Sequence, residues 1–216
     1  NMSLWLVVSN TLTLSNLIMF SNDSTLTRFL GYAMKGIGSL PKGNIRNYHR
    51  LKSAPNLTLI HNLIVTKDWL SLFLSVILVV ILLPLGFALK SNYLIYFPNF
   101  IYLWIIFSLA CIFYIDTFLS LSTMRGLNLH SLANNIIFFM RVMILVIFSI
   151  LLVNHKNIFS YILSIFSTYC LTSFICRWNI YKYRNTKLAK VRKTQISPII
   201  SLKEILQSSK QLGIMG

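Results

Sequence analysis

Residues 69–177 form an almost unbroken apolar block, and that block limits what this chain can become. Between 69 and 176 only Lys90, Asp116, Arg125, Arg141 and Lys156 carry a formal charge. A helix on the surface of a soluble domain keeps one polar face, and these runs are apolar all round. A helix that crosses the hydrocarbon core needs about 20 apolar residues at ~1.5 Å each. The block divides into four pieces of that size: Trp69–Leu89, Tyr93–Leu121, Asn134–Val153 and Ile158–Cys176. The breaks are polar: Lys90-Ser91-Asn92, Ser122–Asn128 and Asn154-His155-Lys156-Asn157. Barrel strands would alternate polar and apolar side chains, and these runs do not. The spacing predicts an all-α polytopic membrane protein, a four-helix transmembrane bundle with amphipathic cytoplasmic flanking helices. Three regions follow: an N-terminal apolar and basic segment at 1–68, the transmembrane domain at 69–177, and a basic tail with a short helix at 178–216.

Charge sets the orientation. The chain of 216 residues holds 20 Lys and Arg against four acids, a net charge of +16. Such an excess can mark a nucleic-acid binder, but its placement has a simpler account. Seven basic residues precede the first span and nine follow the last, while the Lys90 and Lys156 turns hold one each. By the positive-inside rule both flanks are cytoplasmic and those two turns face outside. Trp69, Tyr93, Tyr96 and Trp178 fall near proposed helix ends, where amphipathic rings favour the interface. Pro84 and Pro98 lie inside the first and second spans, where a lost backbone donor tends to bend a helix.

The first twenty residues leave two options open. Leu4–Val8 and Leu17–Phe20 are apolar but interrupted by Ser, Thr and Asn. They form either a fifth span or a segment lying on the surface or packed on the bundle. Ser21-Asn22-Asp23-Ser24 reads as a helix start. Leu26, Phe29, Leu30, Ala33 and Ile37 then recur at helical spacing around Arg28 and Lys35, either on a membrane surface or against the protein itself. Gly36 and Gly38 end that helix, and Leu57–Val65 forms a short helical lead into the first span.

Asp116 and Arg141 are the charges set well inside the spans. Asp116 lies about 9 Å before Ser122 and Arg141 about 10 Å after Asn134 at the helical rise. Nearly equidistant from one turn, they are expected to form a structural intramembrane ion pair that locks the hairpin. A proton or ion relay is the competing role.

No nucleophile elbow, zinc-binding helix, P-loop or dinucleotide fingerprint occurs, and four scattered acids supply no acid–base pair. Cys111, Cys170 and Cys176 lie in apolar runs without metal spacing, and His49, His61, His130 and His155 are dispersed. The expectation is no enzyme, no cofactor and no metal. After the last span, Arg177, Lys182, Arg184, Lys187, Lys190, Arg192 and Lys193 are interleaved with Trp178, Ile180, Tyr181 and Tyr183. This pattern fits a juxtamembrane helix held to anionic lipid headgroups, or docked on a partner, better than a nucleic-acid binder. Beyond it, Ser201 and Glu204 have capping-box spacing ahead of the apolar Leu202, Ile205 and Leu206.

Three stretches carry a resemblance. Arg177-Trp178 through Tyr181-Lys182-Tyr183-Arg184 to Lys187-Leu188, the lead-in at Arg28–Leu30 and Leu51-Lys52-Ser53, and the ending Leu212-Gly213-Ile214-Met215-Gly216 are similar to IcmV-like inner-membrane proteins of Dot/Icm (type IVB) secretion and related conjugation systems. The resemblance implies a small non-enzymatic subunit of an envelope translocation channel in a bacterial inner membrane, working with other membrane subunits or as a homo-oligomer. It offers no catalytic residues. The competing class is a small pore-forming, transport or membrane-perturbing protein.

Overall fold

The computed structural model describes residues 2–36, 54–93, 99–154 and 158–188. These residues form five helices and no strand: α1 (Met2–Met34), α2 (Leu57–Tyr93), α3 (Phe100–Gly126), α4 (His130–Asn154) and α5 (Ile158–Lys187). Helices α2 to α5 are each long and apolar enough to cross a membrane. The chain is an integral membrane protein.

Several boundaries differ from the sequence reading. The polar break at Ser21–Ser24 does not start a helix, because α1 runs through it. Leu57–Val65 is the first part of α2, not a separate helix. The helix also continues past Lys90 to Tyr93, and α3 begins only at Phe100. Likewise α3 extends through Ser122–Gly126, and α5 passes Cys176 and Arg177 to Lys187. The boundaries placed at 68 and 177 therefore fall within helices. Polar residues mark where a helix leaves lipid, and helical hydrogen bonding survives that exit because headgroups and neighbouring helices accommodate the side chains.

Helix α3 is the centre of the molecule. It packs on α1, α2 and α5, and only lightly on α4, which lies mainly along α5. Edge-to-face rings close two of these seams: Tyr114 on Tyr169 between α3 and α5, and Phe148 on Tyr161 between α4 and α5. Small hydroxyl residues let α5 approach closely. Ser160, Ser164, Thr168 and Thr172 recur every fourth residue and are all buried, the small-residue pattern that brings membrane helices together.

Two glycines admit large neighbours. The Trp104 indole lies where a Cβ on Gly86 would stand, 2.1 Å from its nearest atom. Its Nε1 donates to the Leu82 carbonyl at 2.7 Å, which fixes α3 against the Pro84 region of α2. Gly126 receives Leu30 of α1 in the same way, with Leu30 Cβ 2.5 Å from the would-be Cβ.

The amphipathic half of α1 faces the protein. Leu26, Leu30 and Ala33 are fully buried and Phe29 nearly so, while Arg28 and Lys35 point out. Thr27 Oγ1 donates to the Ser122 carbonyl at 3.2 Å, and Tyr183 Oη reaches Met34 Sδ at 3.8 Å. Gly36, with φ of 81°, ends the helical turn as its composition predicts. Ile37 lies outside the described residues. Asn56 caps α2, its Oδ1 accepting from the Leu59 amide at 3.1 Å.

The turn after α3 closes through Asn128 at φ 63°, with the Leu129 amide donating to the Met124 carbonyl at 2.9 Å. A left-handed residue there satisfies the last carbonyls of α3.

Candidate functional site, a buried ionic cluster

One carboxylate gathers four donor groups from two neighbouring helices. Asp116 is buried on α3. Its Oδ1 accepts from Ser71 Oγ at 3.2 Å and lies 3.6 Å from Lys67 Nζ, both on α2. Its Oδ2 accepts from Arg177 Nε at 2.8 Å and from Ser173 Oγ, both on α5.

The spacing explains the convergence. On α2 the cation and the serine are Lys67 and Ser71; on α5 they are Arg177 and Ser173. Residues four apart share a helix face, so each wall presents one ammonium or guanidinium and one hydroxyl to α3. Lys67 stands ten residues after the start of α2, while Asp116 and Arg177 stand ten before the ends of α3 and α5. Each is thus about 15 Å from its helix terminus, at one level. We call this end of the bundle the basic end.

Lys67 is 1% exposed, among the largest of the described side chains buried to that degree. Burying an ammonium without partners would cost several kcal/mol, on the order of the penalty for one desolvated ion. Three groups offset that cost: Asp68 Oδ1 at 2.7 Å, Asp116 Oδ1 at 3.6 Å and Ser120 Oγ, accepting at 3.2 Å. Arg177 keeps its side chain 63% exposed while its Nε holds Asp116. Two cations and two carboxylates thus balance, and two of the four acids in the chain are spent here.

The expected Asp116–Arg141 pair does not form. Asp116 is taken by Lys67 and Arg177, and Arg141 lies exposed on the outer side of α4. Equal distance from a turn fixes depth only. Packing fixes the rotation about each helix axis, and α4 leaves α3 after the turn to lie along α5. The partners missed by sequence reasoning had been placed outside the spans, Lys67 as a flank and Arg177 as the start of a tail. The matching cation–serine pairs four residues apart on the two flanking helices were the available signal.

Of the basic tail, Arg177, Lys182, Arg184 and Lys187 continue α5, while Lys190, Arg192 and Lys193 lie outside the described residues. Lys182 and Lys187 are exposed, and Arg184 stacks near Tyr181, 5.9 Å from the ring centroid. Trp69 and Trp178 are exposed at the same level as the cluster. Tyr96, Pro98, His49 and His155 fall outside the described residues.

Chemically the cluster is a lock. Its carboxylate is enclosed by donors, and among the described residues no three His, Cys, Asp or Glu side chains come together. Cys111 and Cys176 are buried thiols and Cys170 is half-buried. Comparison with known proteins finds no matching family model, no matching curated protein and no matching solved structure.

Proposed function

We propose that the protein is a non-catalytic integral membrane subunit of a multiprotein envelope assembly, and that α4 is the helix by which it joins its partners. One observation carries this reading. Arg141 is the twelfth of the 25 residues of α4, and it is exposed. Around it Phe138, Val142, Leu145 and Val146 are exposed as well, and only 11% of the helix's apolar stretch is buried within the chain. An arginine at mid-membrane facing lipid costs about 3 kcal/mol. A carboxylate or carbonyl on a neighbouring helix removes that cost. Among the acids whose side chains are described, Asp68 and Asp116 are already paired with Lys67 and Arg177. The fitting partner is therefore another membrane subunit with an acidic or strongly polar side chain at mid-depth.

In this reading the basic end faces the cytoplasm, as the positive-inside rule requires. The setting is a bacterial inner membrane and a secretion or conjugation apparatus of the type IV class, which is what the resemblance of the tail implies. A photo-crosslinker at Leu145, in native membranes, tests the reading. It is expected to trap a distinct membrane protein in fixed stoichiometry, and Arg141→Leu is expected to abolish the adduct. A crosslink only to a second copy of this chain, or depolarisation of cells by this protein alone, overturns it.

A further inference from the structure

We infer that the cleft between α2 and α5 at the basic end is a binding site for the phosphate-bearing headgroup of a single phospholipid. Helices α2 and α5 scarcely touch; both are held by α3, which forms the floor between them. The resulting cleft has a volume of about 510 Å³. The ionic cluster crosses its floor, because Lys67 comes from one wall and Arg177 from the other.

Two properties of the lining point to a lipid. The first is charge. Lys67, Arg177 and Arg184 line the cleft together with Asp68 and Asp116, which leaves one positive charge in excess. Lys67 and Asp116 are consumed by each other and by their serines, while Arg177 offers a largely exposed guanidinium. Arg184 has no acidic partner among the described residues, and with Tyr181 it completes a donor set on one wall. Guanidinium forks match phosphate oxygens, and charge-assisted bonds of this kind are the strong ones.

The second property is direction. Arg184 stands nearest the basic end, Arg177 two turns further in, and Leu72, Ile112 and Phe113 line the part that runs toward the apolar block. The cleft is thus cationic at the end that meets the headgroup region and apolar at the end that meets hydrocarbon. A phospholipid has that polarity, with its phosphate beside Arg177 and Arg184 and an acyl chain along Phe113 and Leu72. Free inorganic phosphate would use the first half and leave the second empty. The inference does not depend on the partner proposed for α4.

The test is native mass spectrometry of the detergent-purified full chain with added phosphatidylglycerol, repeated with inorganic phosphate as competitor. Wild type is expected to retain one phosphatidylglycerol. Arg184→Gln is expected to weaken retention at least about tenfold, the scale of one lost charge-assisted hydrogen bond. Lys187→Gln removes the same charge from an exposed position outside the cleft, and is expected to change retention less than about twofold by the same reckoning. Ser75→Phe, which fills the apolar half, is expected to expel the lipid with melting temperature unchanged in lipid-free detergent. Equal losses from Arg184→Gln and Lys187→Gln would reduce the effect to general basic charge and overturn the site. Displacement by millimolar phosphate, or full retention in Ser75→Phe, would overturn the lipid as its occupant.

Discussion

Lys67 is the side chain whose environment is most demanding. It is buried to 1% exposure with its ammonium against Asp116, Asp68 and Ser120. Removing Asp116 leaves that charge with one solvent-facing carboxylate, Asp68, whose side chain is 58% exposed. Breaking a buried pair by deleting one partner typically costs roughly 3–5 kcal/mol, whereas replacing both by apolar groups is far milder. Asp116→Ala should therefore lower the melting temperature in detergent sharply, and Lys67→Met added to it should recover most of the loss. If the double variant melts no higher than Asp116→Ala, the pairing is not what holds α2 to α3. Arg141 gives the opposite expectation. Because it is exposed and unpaired with Asp116, Arg141→Gln should shift the stability of the purified chain by less than about 0.5 kcal/mol, as for an ordinary surface change. Exchanging the two charges, Asp116→Arg with Arg141→Asp, should rescue nothing.

Between elements, the decisive contacts are those that only the absence of a side chain allows. Gly86 gives Trp104 its place against α2, and Gly126 gives Leu30 its place against α3. Gly86→Ala drives a methyl into the indole, and overpacking of this kind costs typically 1–3 kcal/mol, here about the middle of that range. Trp104→Leu in the same chain should relieve the clash while giving up the bond to the Leu82 carbonyl, worth about 1 kcal/mol. Thermal melts of the single and double variants measure both quantities. Gly126→Ala acts on α1 instead. It should loosen the packing of Leu26, Leu30 and Ala33 and raise amide exchange across Thr25–Met34, with α3 and α5 protected as before. Uniform protection in α1 would show that Leu30 moves aside at little cost.

At the scale of the whole molecule, α2, α3 and α5 bring Lys67, Asp116 and Arg177 to one level, which requires the start of α2 and the ends of α3 and α5 to share a side. The turn at Leu127–Leu129 belongs to that side too. Single cysteines placed by Ala54→Cys, Asn128→Cys and Lys187→Cys should label from one face of sealed vesicles, and Asn99→Cys from the other. The native thiols complicate this little, since Cys111 and Cys176 are buried and Cys170 is half-buried. Labelling of Asn128→Cys and Asn99→Cys from the same face would dismantle the architecture.

Hydropathy alone determined that α2 to α5 are fit to cross a membrane, because the cost of bringing a polar backbone or side chain into hydrocarbon is large and local. Charge asymmetry likewise supplied the expected orientation, and the period of Leu26, Phe29, Leu30 and Ala33 identified the apolar face of α1, while only the fold decided that the protein and not a membrane surface covers it. The position of each helix end was less legible. Ser, Asn and Lys are tolerated inside a helix once it has left lipid, so α2 and α5 run well past the boundaries their polar residues suggest. The partners of Asp116 left only a faint signal, a cation and a serine four residues apart on each of two helices. Rise along a helix gives depth, and any cation at that depth is a candidate. Which one arrives is set by the rotation and order of the helices, and those follow from side-chain packing along α3 that no local pattern encodes: Lys67 and Arg177 came in from the flanks, and Arg141 was turned away.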